Sequence, residues 1–93
     1  MTWIVDIEAL GLEEAEFPDQ LSVAFDVIYP GEVWCRSVVY VAPDAAFGSE
    51  DEIIGRARDA LLAVLERDAL PVAVELRLSA AGTALMEIGH PTG

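Results

Sequence analysis

Residues 49–69, SEDEIIGRARDALLAVLERDA, constrain the fold more than any other part of the chain. Ser49 and Glu52 have the S-x-x-E spacing of a capping box, in which each side chain binds the other residue's backbone N–H at a helix start. Pro71 prevents the helix from continuing. Apolar residues recur at the three- and four-residue steps of one helix face: Ile53, Ala57, Ala60, Leu61, Val64 and Leu65. The segment therefore predicts a long helix whose apolar stripe needs a partner.

Most of the remaining chain has the alternating pattern of half-buried strands. Residues 2–10 and 21–29 alternate apolar and polar side chains, and a period of two places successive side chains on opposite faces of a sheet. Residues 33–41 predict a returning strand after a turn at Pro30 and Gly31. Residues 72–79 and 83–88 predict two more strands after the helix, whereas residues 11–20 break the period and predict a loop.

The hairpin of residues 21–42 has two possible registers. A two-residue loop places Val27 opposite Trp34, and this leaves Arg36 on the apolar face, where its stem would have to reach the edge of the core. A bulge or a longer loop reverses the returning strand and turns another set inward: Val33, Cys35, Val39 and Val41. The sequence predicts the hairpin and leaves both registers open.

These elements predict an α+β fold in the order β-β-β-α-β-β. Because only one helix is available, the economical arrangement has two layers. We expect a mostly antiparallel sheet of four to five strands with one long helix packed on one face. Residues 1–89 are expected to form a single domain, and residues 90–93 a short flexible tail.

The charge of the chain restricts its partners. Seventeen acidic residues against five arginines give a net charge of −12. Direct binding of nucleic acid requires a positive surface, so we expect no nucleic-acid partner, and we expect no anionic membrane as a partner for the same reason. A basic protein is the electrostatic complement, although acidic charge also serves solubility alone.

The sequence also lacks the usual signs of export and of membrane insertion. No apolar run approaches the ~20 residues of a membrane span. The N-terminal residues do not resemble a signal peptide, which has a basic and then an apolar part. We therefore expect a cytoplasmic protein.

Residue types that perform chemistry are scarce. Cys35 is the only cysteine and His90 the only histidine, and no orienting third group suggests that they act as a nucleophile–base pair. The chain has no phosphate-binding glycine loop, no H-E-x-x-H zinc helix and no D-x-D-x-D-G calcium loop. We expect no enzymatic activity, no metal and no cofactor.

The predicted function is a small acidic interaction module that binds a basic protein, in the manner of an immunity protein, an antitoxin or an inhibitor. Carboxylates would steer the partner and exposed aromatic rings would anchor it. The candidate contact residues are Asp6, Glu8, Glu13, Glu14, Glu16, Phe17, Asp26, Trp34 and Glu75. The alternative is a homo-oligomeric structural or accessory subunit, with a homodimer as its simplest form, and a small enzyme or metal-binding domain is a third hypothesis.

Overall fold

The computed structural model describes residues 6–14, 21–28, 33–68 and 73–89, which form a five-stranded sheet with one helix packed on it. The elements, in chain order, are β1 (Asp6–Glu14), β2 (Leu21–Ile28), β3 (Val33–Val41), α1 (Glu50–Asp68), β4 (Ala73–Ser79) and β5 (Gly82–Gly89). The strands lie in the sheet in the same order as in the chain. The predicted two-layer α+β fold and its β-β-β-α-β-β order are confirmed.

Only β3 and β4 run parallel, and every other neighbouring pair is antiparallel. A parallel pair needs a long crossover connection, because the chain must return to the end of the sheet from which it started. A short 3-10 turn, Pro43–Ala45, and helix α1 supply this connection. No helix in the described residues is both long enough and apolar enough to cross a membrane.

Helix α1 begins with the predicted capping box. The Glu52 N–H donates to Ser49 Oγ at 3.2 Å, and the Ser49 N–H donates to Glu52 Oε1 at 3.4 Å. The preceding residue, Gly48, has a φ of +89°, and a Cβ there would lie 2.9 Å from Glu52 Oε2. Glycine therefore provides both the backbone conformation and the space that the capping box needs.

The core lies between α1 and one face of the sheet, here called the helix face. Phe25, Leu61, Leu65 and Leu76 are its largest fully buried side chains. Valines of β2, β3 and β4 surround them. Full burial of one such side chain is worth roughly 1.5–3 kcal/mol, so this single interface supplies most of the hydrophobic stabilisation of the fold.

From Cys35 onwards, the β2–β3 hairpin has the orientation of the second predicted register, with Cys35, Val39 and Val41 on the helix face, whereas Val33 lies beyond a register shift. Val23 pairs with Val39 and Phe25 with Ser37, so the odd-numbered residues of β3 from 35 onwards lie on the helix face. The register shifts near the turn, where Ile28 pairs with Val33. Because of this shift, Arg36 of β3 lies on the face away from the core, opposite Asp26. The turn residues Pro30 and Gly31 lie outside the described residues.

Strand β1 is longer than the sequence predicts, and the expectation of a loop was wrong for residues 11–14. Leu10 and Gly11 together stand opposite Ala24, between the pairs formed by Ala9 and Leu12. This is a β-bulge, and the φ of +123° at Gly11 is readily adopted by a residue without a side chain. The break in the alternation therefore bends the strand without ending it. Residues 15–20 lie outside the described residues.

Arg56 anchors the connection between β3 and α1. Its Nη2 donates to the carbonyl oxygen of Ala45 at 2.8 Å and also to that of Phe47. Its guanidinium group lies 4.0 Å from the centre of the exposed Phe47 ring, a cation–π contact. On the other side of the connection, Asp44 Oδ1 accepts a hydrogen bond from the Ala80 N–H at 3.2 Å. The connection is therefore tied both to the helix and to the β4–β5 turn.

A buried hydroxyl group joins the two parallel strands. Ser37 is only 1% exposed, and its Oγ accepts a hydrogen bond from the Val74 N–H at 3.0 Å. The β3–β4 ladder begins one residue later on both strands, at Val38 and Glu75. Ser37 thus accepts the hydrogen bond of the buried Val74 N–H, which lies just before the first residue pair of the β3–β4 ladder.

Replacing Ser37 by alanine should destabilise the protein by about 1–3 kcal/mol, because a buried N–H then loses its acceptor. Thermal or denaturant unfolding measures the loss. Ser22→Ala is the matched control, because Ser22 lies in β2 on the sheet face away from the helix, and it should change the stability by less than about 0.5 kcal/mol. Equal effects of the two substitutions would contradict this role for Ser37.

Candidate functional site

The sheet face opposite α1, here called the outer face, is not covered by any described element. Residues that pair across neighbouring strands share a face, so the ladders arrange its side chains in rows. One row contains Glu8, Asp26 and Arg36, the next contains Ala24, Val38, Glu75 and Glu87, and the third contains Glu13, Ser22, Tyr40, Arg77 and Ala84. The outer face is therefore an ordered array rather than a scatter of charges.

Carboxylates outnumber guanidinium groups in these three rows by five to two. One of the five is already neutralised, since Arg36 Nε donates to Asp26 Oδ1 at 3.1 Å. Arg36 itself is largely exposed, and an ion pair in such a position contributes at most about 1 kcal/mol. The remaining carboxylates leave the outer face with an excess of negative charge.

Two of these carboxyl groups stand directly opposite each other. Glu75 of β4 pairs with Glu87 of β5. A hydrogen bond between the two side chains, the partial burial of Glu75 and charge repulsion from Glu87 together raise the pKa of Glu75 above its ordinary value. A hydrogen bond with Tyr40 has the opposite, smaller effect on this pKa. The pair therefore favours a shared proton or a nearby cation.

A shallow, open depression of about 210 Å³ lies beside this pair. Its walls are formed by Arg36, Val38, Ala73, Val74, Glu75 and Glu87. Small-molecule sites usually occupy about 300–1,000 Å³, so the depression is small for a substrate. Its size suits a single side chain, with an apolar surface on one part of the wall and carboxylates on another.

The predicted contact residues divide into three groups. Glu8, Glu13, Asp26 and Glu75 lie together on the outer face. Glu14 pairs with Leu21 and belongs to the exposed rim of the helix face. Only the backbone is described for Asp6 and Trp34, while Glu16 and Phe17 lie outside the described residues, so the structure does not place these four side chains.

Two contacts of the outer face were not predicted from the sequence. Glu87 forms a side-chain hydrogen bond with Glu75, and Tyr40 forms a hydrogen bond with the same Glu75 carboxyl group. Met86 has no partner in β4, because the pairing shifts there from Glu75–Glu87 to Leu76–Leu85. Simple alternation along residues 83–88 does not reveal such a shift, so the facing glutamates could not be found from the pattern.

The residue types associated with catalysis and metal binding are dispersed. Cys35 lies half-buried beside the core, where burial raises the pKa of its thiol, and His90 lies outside the described residues. Within the part of the chain that the structure describes, no three His, Cys, Asp or Glu side chains are grouped so that they could hold a metal ion.

Comparison with known proteins adds no relative to this picture. The chain matches no protein-family model, no curated protein and no solved structure.

The Glu75–Glu87 pair predicts a specific dependence of stability on pH. Folding raises the pKa of Glu75, so the folded protein holds this proton to a higher pH than the unfolded chain, whose glutamates titrate near 4.3. Stability therefore falls as the pH rises from that value through the folded pKa. Glu75→Gln removes this loss and should raise the melting temperature at about pH 7, with little gain below about pH 4.

Glu8→Gln is the matched control, since it removes one negative charge from the same face without touching the pair. Melting curves of both variants and of the wild type at the two pH values measure the difference. If Glu75→Gln and Glu8→Gln raise the melting temperature equally at about pH 7, the facing carboxylates do not strain the folded state.

Proposed function

We propose that this protein binds a basic protein partner through the outer face of its sheet, as an immunity protein, an antitoxin or an inhibitor does. The observation that supports the proposal most directly is the excess of carboxylates on a sheet face that no described element covers. A face that the described elements leave open is available for contact without unfolding, and its charge attracts a basic surface over a distance of about 10 Å at 0.1 M salt.

The arrangement of residues on this face also suits a protein interface. Ala24, Val38 and Tyr40 are half-buried near its centre, and the exposed Glu8 and Glu87 lie towards its margins. Protein interfaces commonly combine a less polar centre with a charged rim. The carboxylates thus serve the approach of the partner, whereas the apolar centre provides area from which water is displaced on contact.

The depression beside Glu75 gives the proposed contact its most specific point. A lysine or arginine of the partner can lay its aliphatic stem against Val38 and Ala73 and bring its charge to Glu75 and Glu87. Such a cation relieves the charge repulsion between the two carboxylates, which is one cause of the raised pKa of Glu75. Binding should therefore lower the pKa of Glu75, because a nearby positive charge favours the ionised form.

If the acidic residues served only solubility, their position on one side of the molecule or another would not affect binding. Helix α1 also exposes acidic residues, among them Asp51, Asp59 and Glu66. The two sides can therefore be compared at equal change of net charge. A protein that binds through the outer face depends on where its charges are, whereas a protein that needs only solubility depends on their number.

The test captures partners from a native-host lysate on the tagged protein and elutes them with increasing salt. One bait carries Glu8→Gln, Glu75→Gln and Glu87→Gln, and the matched bait carries Asp51→Asn, Asp59→Asn and Glu66→Gln. We expect a stoichiometric basic protein on the wild type and on the helix variant, eluting at moderate salt. The outer-face variant should lose most of it, with a purified-partner Kd increased about tenfold or more.

Two results would contradict the proposal. Equal retention of the partner by both variants would show that position on the outer face does not matter. Absence of any stoichiometric basic protein on the wild type, at low salt and with folded bait, would leave the acidic charge with the solubility role alone.

A further inference from the structure

The two edges of the sheet differ in how they are protected against pairing with another strand. An edge strand presents unpaired backbone N–H and C=O groups, and proteins usually shield them with charges, bulges or a covering element. Edge strand β1 has both a bulge at Gly11 and exposed acids, Glu8, Glu13 and Glu14. Edge strand β5, GTALMEIG, also has an irregularity at Met86, where its pairing with β4 shifts, but it carries only one charged residue, Glu87, in eight.

Strand β5 also lies beyond the cover of the helix. Helix α1 packs mainly against β1, β3 and β4, and the described side chains of β5 from Thr83 to Glu87 are all exposed. Leu85 is 41% exposed although its partner in β4, Leu76, is fully buried. Leu85 therefore continues a row of the core to a point where nothing in the described structure closes it, and Met86 beside it is 52% exposed.

We infer that β5 pairs antiparallel with β5 of a second copy of this chain, so that the two sheets join into one across a twofold axis. The axis lies near Leu85, in the middle of the strand Gly82–Gly89. In this register Leu85 of one copy stands opposite Leu85 of the other. The register uses nearly the whole strand and separates the two Glu87 side chains, which would repel each other if they stood directly opposite.

The charge distribution identifies a second copy as the occupant of this edge. A basic partner finds one carboxylate on β5 and several on the outer face. A second acidic copy, in contrast, is repelled by most of the surface and meets the least charge at β5. The exposed leucine and methionine are complementary to themselves, and a twofold interface requires such self-complementarity.

The response to salt separates this interface from the one proposed above. Two protomers that each carry a charge of −12 repel each other, and salt screens the repulsion, so the β5 dimer should tighten as the salt concentration rises. The complex with a basic partner should weaken over the same range. Either interface can therefore fail without affecting the conclusion about the other.

The experiment measures the mass of the full-length protein by sedimentation equilibrium over a wide range of protein concentration and at two salt concentrations. We expect a dimer that dissociates on dilution. Leu85→Glu and Met86→Glu should shift it to monomer. The matched control is Leu10→Glu, which adds the same charge at a leucine that is 45% exposed on the opposite edge strand and should leave the dimer intact.

Mixing tests the register directly. Leu85→Glu and Leu85→Lys should each be monomeric, and an equimolar mixture should restore a dimer of one copy of each, because opposite charges then face each other at the axis. Amide hydrogen exchange of the wild type gives a reading that needs no substitution. Exchange in β5 should slow as the protein concentration rises, while exchange in β1 should not change.

A wild type that stays monomeric at every concentration and both salt levels would overturn the inference. A dimer that survives both Leu85→Glu and Met86→Glu, or a mixture of the two Leu85 variants that stays monomeric, would also overturn the β5 pairing.

Discussion

The presence of a single helix in the described structure determines how the rest of the molecule is organised. One apolar helix stripe can cover one face of one sheet, and Leu61 and Leu65 of this stripe belong to the same buried cluster as Phe25 of β2. No described element covers the other face of the sheet, so its side chains have to be polar enough to tolerate contact with solvent. The distribution of glutamate, aspartate and arginine on the outer face follows from this constraint before any partner is considered.

The same constraint explains why the two sheet edges differ. A helix of 19 residues is about 28 Å long at 1.5 Å per residue, and α1 packs mainly on β1, β3 and β4. The β5 edge is therefore left with exposed leucine and methionine side chains. Both candidate surfaces lie where the helix does not reach.

The sequence predicted those parts of the structure that depend on local chemistry. The capping box of Ser49 and Glu52, the buried helix stripe and the order of the elements are confirmed, because each is fixed by residues a few positions apart. The register of the sheet depends instead on bulges and on pairing between distant segments. Pattern alone left two positions open for Arg36, and it did not bring Glu87 opposite Glu75.

Glycine shows the limit of pattern in another way. Gly11 interrupts the alternation of β1, and an interruption predicts either the end of a strand or a bulge. The structure shows a bulge, since residues 12–14 resume pairing with β2. The predicted contact residues Glu13 and Glu14 consequently belong to the sheet, on opposite faces of it, and not to a loop. Only Glu13 therefore shares the outer face with the other carboxylates proposed to bind a partner.

The order of the strands has a consequence for how the chain folds. Because spatial and chain order coincide, each antiparallel pairing joins strands that follow one another in the chain and can form early. The β3–β4 pairing joins residues as much as 37 positions apart, so most of the loop-closure entropy of the sheet is concentrated in this one step. The first three strands and the final hairpin can thus form as separate units, and the docking of α1 brings them together.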